Sequence, residues 1–329
     1  MKNSELASNN RYVKIYHGYG HAHDLQVFGH VLADRPVTRK KYSSSYFANI
    51  IHLLRLFFVK PIPLAPLTLE FNSQTVNGKS ETDGFFKFEW AAEGDVPAGW
   101  HEVAVAHQND GATIENTGEI FVPHITQFGF ISDIDDTVMV SHSATIGKRL
   151  RALFTANPRT REVFPDVGEH YSLLSMAHTE PEAPNPFFYV SSSEWNLYDY
   201  LLEVFRFNKL PEGAFLLNQI KRWYQLFKTG KTTHEGKLLR VLRILDAFPN
   251  QKFILLGDST QSDPAIYHKI AEKYPDRIHA VYIRNVHKPK EEATRTLLND
   301  LSNKTGIQCC FFIHSNEAIA HSRSIGLID

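Results

Sequence analysis

From about Ile125 to the C-terminus the chain repeats one pattern, a short apolar run followed by a longer stretch with helical spacing. FGFISDI, FFYVSSS, KFILLGD, HAVYIRNV and QCCFFIH are the apolar runs. Strands read as continuous hydrophobic runs when both faces of their sheet are covered, and alternation with helices is the signature of parallel pairing. The expected fold class is therefore α/β, a Rossmann-like parallel sheet with helices on both faces. The N-terminal part differs. VKIYHGY, LQVFGHVLA, LTLEF, GFFKFEW and HEVAVAHQ are rich in β-branched and aromatic residues, with ETDG and NDG as turn chemistry between them. A small β-sandwich fits that spacing. A length of 329 residues suits two domains at roughly 150 residues each. We place the boundary near residues 123–127, giving a β-sandwich domain over 1–125 and an α/β domain over 126–329.

An amphipathic helix interrupts the strand-rich part at residues 43–60. Tyr46, Ile50, Leu53, Leu54, Phe57 and Phe58 share one helical face, and Pro61, Pro63 and Pro66 stop it. Arg39, Lys40, Lys41, Arg55 and Lys60 flank that face, which suits either contact with a membrane surface or ordinary packing. A second basic cluster, KRLRALFTANPRTR at residues 148–161, holds Lys148, Arg149, Arg151, Arg159 and Arg161 without an acid. It fits an anionic lipid surface or a solvated helix face. Globally, Lys+Arg 35 against Asp+Glu 36 leaves a net charge of -1, so no overall field recruits nucleic acid.

The opening residues lack the apolar core of a secretory signal, and no uncharged run reaches the roughly 18 residues of a spanning helix. The two cysteines, Cys309 and Cys310, are adjacent and form neither a disulfide framework nor a zinc spacing. A cytoplasmic location, with peripheral membrane contact, is the expectation. HGYGHAHD offers His17, His21, His23 and Asp24, read as a loop entering the first strands rather than as a zinc site.

In an open parallel sheet the ligand crevice lies beyond the carboxyl ends of the strands, so polar residues directly after an apolar run carry the chemistry. FGFIS is followed by DIDDT, which puts Asp133, Asp135 and Thr137 at a strand end, Asp133 and Asp135 on one side. Crowded carboxylates repel unless a cation joins them, although a solvated turn fits this run too. KFILL is followed by GDSTQSD, which presents Asp258 and Asp263 after a glycine that permits a sharp turn. With Asp133 they suit a magnesium ion, and taken alone they also suit a helix start. Ser191 is the first hydroxyl after FFYV, near a probable helix start, as a phosphoryl-oxygen ligand or a cap. Lys237 precedes an apolar helical face of Leu238, Val241, Leu242 and Leu245, and supplies a cation against phosphate.

These four motifs, in this order, resemble those of the haloacid dehalogenase superfamily. FISDIDDTV, FYVSSSEWNLYDYL, HEGKLLRVLRILDAFP and FILLGDSTQSDPAIY, with VYIRNV beyond, resemble the phosphatidate phosphatase family named for its actin-patch-associated fungal member. The resemblance covers about residues 128–329, and HGYGHAHDLQVFGHVLADRP and TDGFF resemble that family's N-terminal sandwich. It implies Asp133 as nucleophile, Asp135 as general acid and base, and Thr137, Ser191 and Lys237 as phosphate-binding residues, with Thr137 orienting the Asp135 side. It also implies magnesium held by Asp133, Asp135, Asp258 and Asp263, and phosphatidate or a related lipid phosphate as substrate. Glu194 stands where such proteins often carry proline, which bears on the headgroup pocket. The proline-rich tail of fungal members is absent from the sequence, which argues against cytoskeletal recruitment.

Between Thr137 and Ser191 the chain needs at least one core helix, leaving little for a large lid, so an open site is expected. An open site suits a headgroup at a membrane better than a small soluble ester. Two alternatives stand beside this: the same mechanism on a soluble or protein-bound phosphoester, and a non-catalytic membrane or cytoskeletal adaptor.

Overall fold

The computed structural model describes residues 11–36, 45–109, 111–141, 156–220 and 234–329. The chain forms two compact units, the first including Ile51–His124 and the second including Ile125–Asn218.

The first unit contains a seven-stranded sheet. Its strands are β1 (Tyr12–His21), β2 (Asp24–Leu32), β3 (Pro66–Phe71), β4 (Gln74–Lys79), β5 (Phe85–Trp90), β6 (Gly99–Asn109) and β7 (Ala112–Val122). They hydrogen-bond in the order β4-β3-β6-β7-β1-β2-β5 as one continuous sheet. All neighbours are antiparallel except β1 and β7, which pair in parallel at Gly18↔Ile120 and Tyr19↔Phe121. Alternating side chains feed one apolar core, to which Val13, Val27, Leu69, Phe86, Val105 and Ile120 contribute from six different strands. Strands β4 and β7 carry little apolar signal. The first eight residues of β7 alternate between half-buried and exposed, so nothing in their sequence needed to be hydrophobic. His17 and His21 lie inside β1 rather than on a loop, and the ring of His23 stands 6.0 Å from that of His21.

Helix α1 runs Tyr46–Arg55 and ends well before Pro61, so it is shorter than its apolar spacing implied. Leu53 and Phe57 are buried, but Phe58 is exposed, as are Phe47 and Ile51. Residues 43 and 44 and the basic Arg39, Lys40 and Lys41 lie outside the described residues. Among the described residues no helix is long and apolar enough to cross a membrane.

The second unit is α/β. Its strands are β8 (Gly129–Ser132), β9 (Phe187–Glu194), β10 (Gly213–Asn218), β11 (Phe253–Asp258), β12 (Ile278–Arg284) and β13 (Gln308–Phe312). They form a wholly parallel sheet in the order β10-β9-β8-β11-β12-β13. Edge strand β10, GAFLLN, is a sixth apolar run beyond the five expected. Helices α2 (Val167–Ser175), α3 (Tyr198–Phe207), α4 (His234–Ala247), α5 (Asp263–Lys273), α6 (Glu291–Thr305) and α7 (Ser315–Ser324) accompany it. Helices α4, α5 and α6 pack in series, and α2 packs with α7. From β8 the chain moves outward through β9 to β10, then returns to the other side of β8 at β11. The topological switch point therefore lies between β8 and β11, where such sheets open a crevice at their carboxyl ends.

Candidate active site

Asp133 follows the last residue of β8, with its N–H donating to the Leu256 carbonyl at 2.9 Å. Asp258 ends β11, and Asp263 opens α5 one turn later with Pro264 behind it, a proline placed where its missing N–H costs nothing. Carboxylate oxygens of Asp133, Asp258 and Asp263 lie within 4.8 Å of one another. Lys237, in the first turn of α4, sets its Nζ 2.8 Å from Asp133 Oδ1 and ion-pairs with Asp263 Oδ1 as well. Gly257 makes this closeness possible. A Cβ there would stand 2.7 Å from Asp263 Oδ2 and 2.8 Å from Tyr267 Cε2, so the glycine permits close approach rather than a sharp turn.

Three acids against one ammonium leave the cluster negative when all are ionised. At 4.8 Å two like charges repel by roughly 3–4 kcal/mol at an effective dielectric near 20. The titration behaviour reflects this conflict. Burial holds the Asp133 carboxyl well above its usual range; Lys237 opposes the rise, while Asp263, Asp258 and Asp135 add to it. Asp258 is pushed up to about 7, first by burial and then by Asp263, against Lys237 and the Thr260 hydroxyl and N–H that donate to its Oδ1. Burial alone would lower the Lys237 ammonium, but Asp133, Asp263 and Asp258 together outweigh it and raise it. Among the described residues, Asp258 Oδ2 is buried without a hydrogen-bond partner. An orphaned carboxylate oxygen beside two further carboxylates is a hard-oxygen donor set, and these residues fit a divalent cation such as magnesium.

Asp135 sits apart from that group of three. Its Oδ1 accepts from the Ser141 hydroxyl at 2.6 Å, and its Oδ2 accepts from Ser191 and Ser193 Oγ at 3.3 Å each. Of the four acids expected around magnesium, the structure groups Asp133, Asp258 and Asp263 and turns the Asp135 carboxylate toward hydroxyls. The Thr137 hydroxyl donates to Asp133 Oδ2 at 3.5 Å, so Thr137 braces the neighbouring acid rather than Asp135.

Two expectations change. Ser191 lies within β9, and its Oγ accepts from the Ser193 N–H at 3.0 Å, whereas regular helix α3 begins only at Tyr198. It is therefore not at a helix N-terminus. The site is also closed: the side chains of Asp133, Asp135, Thr137, Ser191, Lys237, Asp258 and Asp263 are all buried, Asp133 completely. Among the described residues, Ser141 packs against Asp135, and Arg161 Nη2 donates to Ser141 Oγ at 2.8 Å. Arg161, read from sequence as part of a basic surface cluster, is only 6% exposed. Arg159 pairs with Glu203 at 3.4 Å, and Lys148, Arg149 and Arg151 lie outside the described residues.

Ser141 had no pattern to mark it in the sequence, and the motifs that contain Ser193, Arg161 and Thr260 did not mark them as partners of the acids. Arg240 did have one, since it follows Lys237 by three residues on α4 and so shares its face. Its Nη1 donates to Asn218 Oδ1 at 2.9 Å and its Nη2 to the Ser191 carbonyl at 3.4 Å, fixing the end of β9.

Residues 128–285 match the family described as the catalytic domain of phosphatidate phosphatase APP1. Phosphatidate phosphatase APP1 of Saccharomyces cerevisiae is 32% identical over 160 residues, 47% of this chain and 25% of the yeast protein. The uncharacterized protein C29B5.04c of Schizosaccharomyces pombe is 23% identical over 158 residues, again 47% of this chain and 25% of the relative. The chain thus matches about a quarter of the length of these relatives. Among solved structures, the carbohydrate acetylesterase XAC1771 of Xanthomonas citri aligns over 88% of this chain and 72% of its own. Its TM-score is 0.27 at 10% identity, too low to carry an argument. The acids at the switch point all fall inside the matched residues, and over those residues this chain is similar to the catalytic domain of phosphatidate phosphatase APP1.

Proposed function

We propose that this chain is a magnesium-dependent phosphatidate phosphatase that hydrolyses a lipid phosphomonoester to diacylglycerol and phosphate through an aspartyl phosphate. The second unit is read as a haloacid dehalogenase-like catalytic domain, with the preceding sheet as its small β-sandwich. One observation carries this reading. Asp133, Asp258, Asp263 and Lys237 converge at the switch point of a parallel sheet, within the residues that match a phosphatase catalytic domain.

Asp133 is the nucleophile. Its carboxylate oxygen forms a bond to phosphorus as the ester P–O bond breaks and the diacylglycerol alkoxide departs. Asp135 gives that alkoxide a proton, then takes one from the water that attacks the acyl phosphate, so that phosphate leaves and Asp133 is restored. Lys237 holds phosphoryl oxygens against the developing charge, where positioning and electrostatics supply most of the acceleration. A magnesium ion held by Asp133, Asp258 and Asp263, with Asp135 beside it, would add positive charge against those same oxygens.

Contact with a lipid surface is assigned to residues 43–60. Phe47 is 76% exposed on α1, and no Asp or Glu occurs between Arg35 and Leu69. The burial of the acids favours a second reading, since a water-excluding site suits a soluble phosphoester with the same mechanism. Phosphate release from detergent-dispersed phosphatidate, compared with a panel of soluble esters, separates the two. Higher kcat/KM on phosphatidate is the expected result, and preference for the soluble panel refutes the lipid assignment. An adaptor without catalysis predicts no release from either.

A further inference from the structure

Asp135 is held from a side of the fold that the proposed mechanism does not use. Ser141 Oγ donates to Asp135 Oδ1 at 2.6 Å, and Arg161 Nη2 donates to Ser141 Oγ at 2.8 Å. A hydroxyl has one hydrogen. With the guanidinium donating into its oxygen, Ser141 directs that hydrogen at Asp135 Oδ1, 2.6 Å away and ionisable, in preference to the Met139 carbonyl at 3.5 Å. The chain is therefore polarised in one sense, from Arg161 through Ser141 to Asp135, and charge assistance strengthens it.

The backbone fixes both members. The Ser141 N–H donates to Asp136 Oδ1 at 2.8 Å, and Asp136 itself takes a left-handed φ of 61°, a conformation kept only where the surroundings enforce it. The strand-like segment holding Arg161 is tied to the same turn, with Val140 N–H donating to the Glu162 carbonyl at 3.1 Å and Phe164 N–H to the Val138 carbonyl at 3.0 Å. Arg161 and Ser141 are both buried. A buried arginine on a short hydroxyl relay is costly to keep unless the relay has a use.

We propose that Ser141 and Arg161 are positioning residues that lock the Asp135 carboxylate in the orientation required to protonate the leaving alkoxide. Oδ1 is committed to Ser141, and Oδ2 is left facing Ser191 and Ser193 on β9. This rests on the phosphatase reading of Asp135 and assigns it a support that the four motifs do not contain.

The test compares Ser141→Ala, Ser141→Thr, Arg161→Met and Asp135→Asn on dioctanoyl phosphatidate and on p-nitrophenyl phosphate. The first ester expels a poor alkoxide that needs a proton, whereas the second expels a good phenolate that does not. Ser141→Ala and Arg161→Met should each lower kcat on dioctanoyl phosphatidate about tenfold or more with KM nearly unchanged, because a slightly misplaced acid loses rate rather than binding. In kcat/KM, which reports the phosphoryl-transfer half-reaction and not the shared hydrolysis of the aspartyl phosphate, the loss on p-nitrophenyl phosphate should be several-fold smaller, and Ser141→Thr, which keeps the hydroxyl, should restore the alkyl-ester rate. Equal losses in kcat/KM on both esters, a change in KM alone, or no loss in Ser141→Ala overturns the positioning role. Should Arg161→Met fail to fold, Ser141→Ala and Ser141→Thr still decide between these outcomes. If Asp135→Asn itself lacks the leaving-group pattern, the acid assignment falls, and the clamp with it.

Discussion

In the seven-stranded sheet the interior is built from Val13, Val27, Leu69, Phe86, Val105 and Ile120, and a buried titratable group such as His30 is held neutral. Beyond β8 and β11 of the six-stranded sheet, three carboxylates and one ammonium are buried together. Both regions are well packed, yet the first spends its buried surface on stability and the second accepts repulsion that a simple core would remove. The comparison teaches where a substitution should be felt. Changes in the first region should alter the melting temperature and leave turnover in the folded protein intact, and changes at the acids should do the reverse.

Asp133→Asn is the sharpest way to break that contrast. It should lower kcat by about 10⁴-fold or more, as loss of a covalent nucleophile does, while the melting temperature holds or rises. A measurable loss of stability in proportion to the loss of rate would erase the distinction. Phe86→Ala is its mirror image. Emptying that buried site should cost about 3–5 kcal/mol in denaturant unfolding, with kcat of the remaining folded protein unchanged.

His30 sharpens the comparison through pH. Burial lowers its folded-state pKa to about 4, with Asp83 opposing, and its Nδ1 lies 2.9 Å from the Tyr16 hydroxyl. Because the folded value is depressed, the neutral form is the one the fold accepts. Its contribution is complete above the unfolded value near 6.5 and is lost as pH falls from there toward 4. At roughly 1.4 kcal/mol per pKa unit the loss amounts to a few kcal/mol, and His30→Gln should flatten this part of the stability profile. An identical slope in the variant would show that His30 does not set this pH dependence.

Asp258→Asn carries the smallest effect and an unusual sign. Removing one of three mutually repelling acids should stabilise the metal-free protein by about 1 kcal/mol while abolishing any rise in melting temperature on adding magnesium. A variant that is both less stable and still stabilised by magnesium would contradict the three-acid site.

The sequence showed the second unit more completely than the first. Strands buried on both faces announce themselves as apolar runs, and polar residues directly after them marked Asp133, Asp258 and, one turn on, Asp263. Lys237 was legible as a cation at the start of an apolar helix. What escaped had no local pattern. Strand β7 is half-exposed over most of its length, so it shows only faint alternation. Ser141 and Arg161 reach Asp135 through a turn whose course depends on the left-handed Asp136 and on backbone pairing with residues 162–164. A run of basic residues at 148–161 suggested a surface, yet the buried Arg161 donates to the Ser141 hydroxyl, which is near only in the folded chain.

The most direct measurement is acid-quench trapping. Enzyme mixed with magnesium and radiolabelled phosphatidate, quenched within the first turnover and digested, should yield a base-labile acyl phosphate on the peptide bearing Asp133. Label on another residue, or none while phosphate is still released, would contradict the claim that Asp133 captures the phosphoryl group.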